Sequence, residues 1–126
     1  MKHIETAAAP APGGMYSQAV VHDGIVYVAG QLGLDPQTGK TVSEEFEGQL
    51  RQALKNVQAI LEASGSDLSR VMRFNVYLSD ERQFPVMNRV FGEMIPKPYP
   101  ARTARIVAMG NNFLVEVDAT AATDLK

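Results

Sequence analysis

Seven apolar residues at helical spacing are the feature that most constrains how this chain can fold. They recur every three or four positions, as Phe46, Leu50, Ala53, Leu54, Val57, Ile60 and Leu61. This spacing places them on one face of an α-helix, and a helix with one apolar face has to cover a second apolar surface. The pattern T-x-x-E at Thr41 and Glu44 predicts a capping box before this helix, and Gly65 suits the position just past its end.

Alternating and β-branched segments on either side of the helix predict the strands of a sheet. Residues 71–78 alternate, and the expected buried face consists of Met72, Phe74, Val76 and Leu78. Ser17–Val21 and Ile25–Gly30 predict a hairpin around Asp23-Gly24. Thr103–Met109 and Phe113–Ala121 predict a second, closing hairpin around the sequence GNN at 110–112.

A second amphipathic helix is predicted to begin near Asp80, with an apolar side formed by Phe84, Met87, Val90, Phe91 and Met94. The prolines at 96, 98 and 100 forbid its continuation. The order β-β-α-β-α-β-β predicts an α+β fold, a single domain over residues 1–126 with a five- to six-stranded mixed sheet and both helices on one face. Residues 1–14 are expected to form an irregular leader, with room for a short strand at 2–5.

The opposite face of the predicted sheet carries a mixture of side chains. Arg73, Tyr77, Glu116 and Asp118 lie there together with smaller residues. This mixture fits neither the core of a single chain nor a fully solvated surface. We therefore expect copies of the chain to cover this face, so that any site on it is shared between subunits.

Composition restricts the chemistry. The 12 basic residues are scattered among 14 acidic ones, which argues against nucleic acid as a partner because duplex binding relies on clustered Lys and Arg. No stretch is long and apolar enough to span a membrane, and the first residues lack the apolar core of a signal peptide. The absence of Cys fits a cytoplasmic location, and two isolated histidines predict no metal site. We expect no cofactor, because no glycine pattern fits a nucleotide loop.

Arg102 is the first candidate for chemistry. Prolines precede it, Tyr99 offers an aromatic wall, and strand alternation puts Arg102 and Ala104 on one face with Arg105 on the other. A guanidinium presents paired donors to a carboxylate. Glu116 lies on the partner strand of the predicted closing hairpin, where registry could bring it close. Spacing alone leaves open whether these are structural charges or an anion anchor with a proton acceptor.

Six motifs in order indicate a family. They are GMYSQA (14–19), VAGQLGLDPQTG (28–39), QALKNV (52–57), FPVMN (84–88), PART (100–103) and VEVDA (115–119). Over residues 8–121 the chain therefore resembles the RidA/YjgF family of reactive-intermediate imine deaminases, also labelled L-PSP endoribonucleases. The resemblance implies a fold like that of the small trimeric chorismate mutases, a homotrimer with clefts between its subunits.

The resemblance also implies an activity and a set of site residues. The activity is hydrolysis of small carboxylate-bearing 2-imino acids, such as 2-iminopropanoate and 2-iminobutanoate, to 2-keto acids and ammonia without a cofactor. Arg102 matches the arginine that binds the substrate carboxylate, and Glu116 matches the acid proposed to position or activate water. The remaining matches to pocket positions are Tyr16, Gly30, Asn88 and Ala104, the last through its backbone.

Departures from the family pattern leave the substrate range open. Met15 replaces a usual proline, Ala29 stands where serine is common, and Ala104 stands where many members have cysteine. The 109–113 turn is one residue shorter than in well-known members. Two alternatives therefore stay open: a related hydrolase or reductase acting on another small carboxylate-bearing metabolite, and a non-catalytic ligand-binding or holdase-like protein.

Overall fold

The computed structural model describes all 126 residues, which build one six-stranded sheet and two helices. The strands are β1 (Lys2–Ile4), β2 (Ala19–His22), β3 (Ile25–Leu32), β4 (Val71–Leu78), β5 (Ala101–Ile106) and β6 (Val115–Ala122). The helices are α1 (Phe46–Ala63) and α2 (Phe84–Met94), with short 3-10 turns at Leu68–Arg70 and Glu81–Gln83. The predicted α+β fold, a mixed sheet with both helices packed on it, is confirmed. Neither helix has the length and apolar character that crossing a membrane requires.

The strand order is β1-β2-β3-β6-β4-β5, and this order shows that the predicted closing hairpin is wrong. β5 runs parallel to β4 on one side, and β6 runs antiparallel to β4 on the other. Helix α2 makes the crossover that a parallel pair needs. The connection over residues 107–114 passes the end of β4, where the Val107 N–H donates to the Leu78 carbonyl at 2.8 Å. Hairpin loops usually have about two to five residues, so this longer connection allows its strands to be separated by another.

Helix α1 covers the sheet with the predicted apolar stripe. Six of the seven stripe residues are buried, and Phe46 packs against them at the helix start. The predicted capping box is wrong, because Thr41 forms a β-bridge with Leu34 and holds the chain extended. The helix instead begins after Glu45, which provides no side-chain cap. Gly65 follows the helix end with φ of 70°, as predicted.

Strand β4 is buried on the helix side, as its alternation predicts, with one exception. Phe74, Val76 and Leu78 are fully or almost fully buried, whereas Met72 is 45% exposed. A register shift between Val71 and Arg73 against β6 inserts one extra residue, and this bulge turns Met72 away from the core. Its expected place in the buried face is therefore wrong.

Two buried polar side chains of α1 fix the loops at one end of the sheet. Asn56 Nδ2 donates to the carbonyls of Leu32 and Leu34 at 3.1 and 2.9 Å. Gln49 Oε1 accepts from the Leu114 N–H at 2.9 Å. These bonds satisfy backbone groups that would otherwise be buried without partners. They hold the end of β3 and the start of β6 at defined positions.

Candidate active site

Arg102 lies at the start of the edge strand β5 and faces helix α2. It is in register with Phe74, whose side chain points to the helix side of the sheet. Arg102 Nη2 donates to Asn88 Oδ1 at 2.8 Å, and its guanidinium carbon lies 5.1 Å from the ring centroid of Phe91. Burial lowers the pKa of Arg102, and no carboxylate of the chain offsets this effect. A partly desolvated guanidinium without an anionic partner is suited to bind an anion from outside the chain.

A cleft of about 420 Å³ opens beside this guanidinium. Its lining residues are Phe74, Asn88, Phe91, Gly92, Ile95, Tyr99, Pro100 and Arg102. Asn88 and Gly92 of α2 lie at i and i+4 on one face, and Ile95 follows directly after the helix end, so this side of α2 forms a wall of the cleft. Tyr99 also lines the cleft, as expected from the sequence.

Glu116 lies on the other face of the sheet. It is in register with Leu32 of β3 and with Tyr77 of β4. β3 contains a register shift between Val28 and Gln31, and this irregularity brings Gly30 against the Glu116 side chain. A Cβ atom on residue 30 would lie 2.8 Å from the carboxyl carbon of Glu116. Glycine at this position therefore allows the carboxylate to lie directly against the backbone.

A second cleft of about 450 Å³ surrounds Glu116. Its other lining residues are Pro10, Ala11, Gly13, Tyr16, Gly30, Gln31, Leu32, Leu34, Pro36, Gln37, Thr38 and Gly39. The Tyr16 hydroxyl accepts a hydrogen bond from the Gly13 N–H at 3.1 Å. Buried Gln18 holds the segment before it, because its Nε2 donates to the carbonyls of Thr6 and Pro10 at 3.0 and 2.9 Å. The first residues of the chain are thus fixed where they line this cleft.

The Glu116 carboxylate is prepared to accept a proton. Burial raises its pKa, and repulsion from the neighbouring Asp118 carboxylate raises it further. Asp118 itself accepts hydrogen bonds from Asn75 Nδ2 at 2.8 Å and from the Tyr77 hydroxyl at 3.0 Å. No side chain of the chain donates a comparable hydrogen bond to the Glu116 carboxylate. A carboxylate with a raised pKa and free lone pairs is suited to act as a general base.

Within one chain the predicted site residues form two groups. Arg102 and Asn88 line the helix-side cleft, whereas Tyr16, Gly30 and Glu116 line the cleft on the open face. Two strand spacings and an offset of three residues separate Arg102 from Glu116, which puts their Cα atoms roughly 14 Å apart. The expectation that hairpin registry brings this pair close is therefore wrong.

Ala104 belongs to neither cleft. Its register partner is Val76, and its side chain packs at the margin of the hydrophobic core. β5 is an edge strand, so the backbone groups on its outer side have no partner strand within the chain. Ala104 could therefore contact a ligand or another copy of the chain only through its backbone N–H and carbonyl groups.

Four residues of the helix-side cleft are not identified from the sequence as part of a site. Phe74 and Phe91 are predicted only as core residues, and the sequence predicts no role for Gly92 or Ile95. For the last three a signal was available. Their spacing from Asn88, at i+3, i+4 and i+7, was the available signal, because those positions share one face of a helix.

Comparisons with known proteins agree on one family. The family model described as Endoribonuclease L-PSP matches residues 6–123. Reactive Intermediate Deaminase A, chloroplastic, of Arabidopsis thaliana is 41% identical over 119 residues, which make up 94% of this chain and 64% of the plant protein. The 2-iminobutanoate/2-iminopropanoate deaminase of Homo sapiens is 38% identical over 119 residues, 94% of this chain and 87% of the human one.

The fold comparison gives the same result. The crystal structure of RidA from an Antarctic Psychrobacter bacterium superposes with a TM-score of 0.93 at 42% identity, covering 97% of this chain and 99% of that one. The family match spans five of the six strands and both helices. On sequence and on fold, the chain belongs to the RidA family, the family whose model is described as Endoribonuclease L-PSP.

Proposed function

We propose that this protein hydrolyses reactive 2-imino acids to 2-keto acids and ammonia, at sites completed between copies of the chain. The observation that carries the proposal is the guanidinium of Arg102, which is partly desolvated, held by Asn88 and without an anionic partner. A 2-imino acid supplies the missing carboxylate, which a guanidinium binds through two parallel hydrogen bonds. The name of the human relative, 2-iminobutanoate/2-iminopropanoate deaminase, supports this class of substrate.

The proposed reaction begins with the substrate carboxylate bound to Arg102. Glu116 accepts a proton from a water molecule whose oxygen attacks the imine carbon, and the C=N π electrons move to nitrogen. In the resulting carbinolamine, Glu116 returns the proton to nitrogen and the C–N bond breaks to release ammonia. The hydroxyl proton then passes through Glu116 to the ammonia as the carbonyl forms. The iminium form of the substrate and one water give one 2-keto acid and one ammonium ion. Orientation and a positioned base are sufficient for this chemistry, the base contributing about 10²–10⁴-fold.

The proposal requires two copies of the chain for each site. A substrate of three or four carbons cannot reach both Arg102 and Glu116 across roughly 14 Å and through the sheet. Arg102 of one copy would therefore lie beside Glu116 of the next. The open face supports such a contact, because Tyr27 is 51% exposed on it and Tyr77 is only half-buried. Contacts between two different surfaces can close into a ring, and a ring of three copies is what the resemblance to a fold like that of the small trimeric chorismate mutases implies.

Replacing Arg102 with Ala tests the proposed anchor. Two charge-assisted hydrogen bonds contribute about 1.5–3 kcal/mol each, so kcat/KM for 2-iminopropanoate should fall by roughly 10²–10⁴-fold. The imine can be generated in the assay from alanine by an amino-acid oxidase. Arg105→Ala is the matched control, because it removes an arginine from the same strand on the opposite face. A wild-type rate for Arg102→Ala, or an equal loss in both variants, would contradict the assigned role.

A further inference from the structure

Three half-buried side chains on the open face of the sheet form a hydrogen-bonded group. It uses both carboxylate oxygens of Asp118: Oδ1 accepts from Asn75 Nδ2 at 2.8 Å, and Oδ2 accepts from the Tyr77 hydroxyl at 3.0 Å. Asn75 lies directly opposite Asp118 in the pair of β4 and β6, but Tyr77 lies opposite Glu116. The Tyr77 hydroxyl therefore bonds to a carboxylate two residues along β6 from its own register partner.

Glu116 is the second carboxylate that competes for the Tyr77 hydroxyl. Side chains directly opposite each other in an antiparallel pair have Cβ atoms about 4.5–5.5 Å apart, whereas diagonal neighbours lie about 7–8 Å apart. By its place in the sheet, Tyr77 is thus closer to Glu116 than to Asp118. The Glu116 carboxylate nevertheless lies toward the other neighbouring strand, against Gly30, and the hydroxyl bonds to Asp118 instead.

A hydrogen bond from Tyr77 would weaken Glu116 as a base. A donor to a carboxylate stabilises the charged form, lowers its pKa and occupies a lone pair that would otherwise accept the proton from water. Tyr77 stays protonated and able to donate near neutral pH, because burial raises the pKa of its hydroxyl and the bond to Asp118 raises it further. The proposed reaction therefore requires that this hydroxyl be held elsewhere.

The titratable groups around Glu116 come from four elements. They are Asp118 on β6, Tyr77 on β4, Arg105 beside Tyr77 on β5, and Tyr16 on the segment before β2. Burial raises the pKa of Glu116, and among these groups only the Asp118 charge adds to the effect. Tyr77 is the one that lies directly opposite Glu116, so its choice of partner matters most to this carboxylate.

We propose that Asp118 is a positioning residue that holds the Tyr77 hydroxyl away from Glu116 and so keeps Glu116 free to accept a proton. The inference rests on the proposed deaminase function, in which Glu116 is the base. Asn75 contributes by fixing the orientation of the Asp118 carboxylate. Holding the hydroxyl requires an acceptor at residue 118 but no charge, so this role is separable from the repulsion between the two carboxylates.

The variants Asp118→Asn and Asp118→Ala test this role. Both remove the charge of residue 118, but only the amide keeps an acceptor for the Tyr77 hydroxyl. With 2-iminopropanoate, kcat of Asp118→Ala should be roughly 10-fold below that of Asp118→Asn, because the released hydroxyl donates to Glu116. The fall in rate toward low pH should also begin at lower pH in Asp118→Ala. Equal rates and equal pH profiles in the two variants would overturn the proposal.

A second substitution tests whether Tyr77 causes the loss. Asp118→Ala combined with Tyr77→Phe should recover the rate and pH profile of Asp118→Asn, which a variant with a damaged fold could not do. Tyr27→Phe in the same Asp118→Ala background is the matched control, because Tyr27 lies on the same face but opposite Thr120. Recovery with Tyr27→Phe, or none with Tyr77→Phe, would show that Asp118 does not act through Tyr77.

NMR titration of the Glu116 carboxyl carbon separates this proposal from the proposed function, because it needs no turnover. The pKa of Glu116 should be lower in Asp118→Ala than in Asp118→Asn, and Tyr77→Phe should reverse the difference. This result in a protein that hydrolyses no imine would support the role of Asp118 and refute the deaminase. Imine hydrolysis with the same Glu116 pKa in all three variants would support the deaminase and refute the role of Asp118.

Discussion

The two clefts of this chain differ in charge and in the kind of support that each charge receives. Arg102 lies on an edge strand and is held by two side chains of α2: its guanidinium donates a hydrogen bond to Asn88 and lies over the ring of Phe91. Glu116 lies on a central strand. Its carboxylate lies against the backbone of Gly30, at the point where the register of β3 shifts. Each charged group lacks a counter-ion within its own chain.

This difference indicates how the site is completed. Burial disfavours the charged form of both groups, since it lowers the pKa of Arg102 and raises the pKa of Glu116. Bringing the two together would favour both charged forms again. A substrate carboxylate between them would balance the guanidinium and leave Glu116 with a raised pKa. Under the proposed function the two clefts are complementary parts of one site, and variants on each side can test whether they act together.

Glu116→Gln should produce the largest effect, because it removes the proposed base and keeps the shape of the side chain. We expect kcat to fall by about 10²–10⁴-fold, while pyruvate still binds through Arg102. In the wild type the rate should fall as the pH drops through the raised pKa of Glu116, because the protonated carboxyl cannot accept a proton. Rates measured between about pH 4 and 9 should lose this acid limb in Glu116→Gln.

Asp118→Asn provides the control for that pH dependence. It keeps an oxygen acceptor for Tyr77 but removes the charge that helps to raise the pKa of Glu116. The acid limb should therefore move to lower pH and remain present. An acid limb that persists unchanged in Glu116→Gln would assign the base to another residue.

Mixing the Arg102→Ala and Glu116→Gln variants should restore activity to about a quarter of the wild-type rate. If each site takes its arginine from one copy and its glutamate from the next, random assembly gives about a quarter of sites with both groups intact. The two variants would be unfolded together, refolded, and assayed on 2-iminopropanoate. Each variant refolded alone should stay inactive. A mixture that also stays inactive would mean that the two residues do not meet between copies.

The sequence predicted best those elements with one buried and one open face. The stripe of α1 and the alternation of β4 from Phe74 to Leu78 follow directly from local periodicity, and both are confirmed. Strand order did not follow, because alternation along β5 is the same whether β6 or β4 lies beside it. The bulge that exposes Met72 was also missed, since it depends on the register against β6.

The choice of candidate site residues rests on the sequence motifs and stays a prediction, whereas the relative positions of these residues could not be predicted from the sequence. The motifs around Arg102 and Glu116 singled out both side chains, but their relative position depends on sheet order. Phe91 was missed for a different reason. It is 7% exposed and packs edge-on against Phe74 while its face lies under the guanidinium, so one apolar residue serves both the core and the cleft. A periodic pattern cannot separate these two uses.

Phe91→Leu should produce the smallest loss of function among these variants. It separates the role of Phe91 in the core from its contact with the Arg102 guanidinium. Loss of the ring removes a cation–π contact of about 0.5–2 kcal/mol, which corresponds to roughly 2- to 30-fold weaker binding of pyruvate. The loss should raise KM more than it lowers kcat, because the ring orients the anchor and does not touch the reacting carbon. Phe91→Tyr keeps the ring face and should restore most of the affinity.

Phe74→Leu is the matched control, because it breaks the same aromatic pair, whose centroids are 5.3 Å apart, without removing the ring that stacks on Arg102. Both leucine variants should unfold at lower temperature, since each loses buried aromatic volume. Only Phe91→Leu should weaken pyruvate binding. Equal weakening in both would mean that Phe91 supports Arg102 through core packing alone, and that Asn88 by itself fixes the direction of the guanidinium.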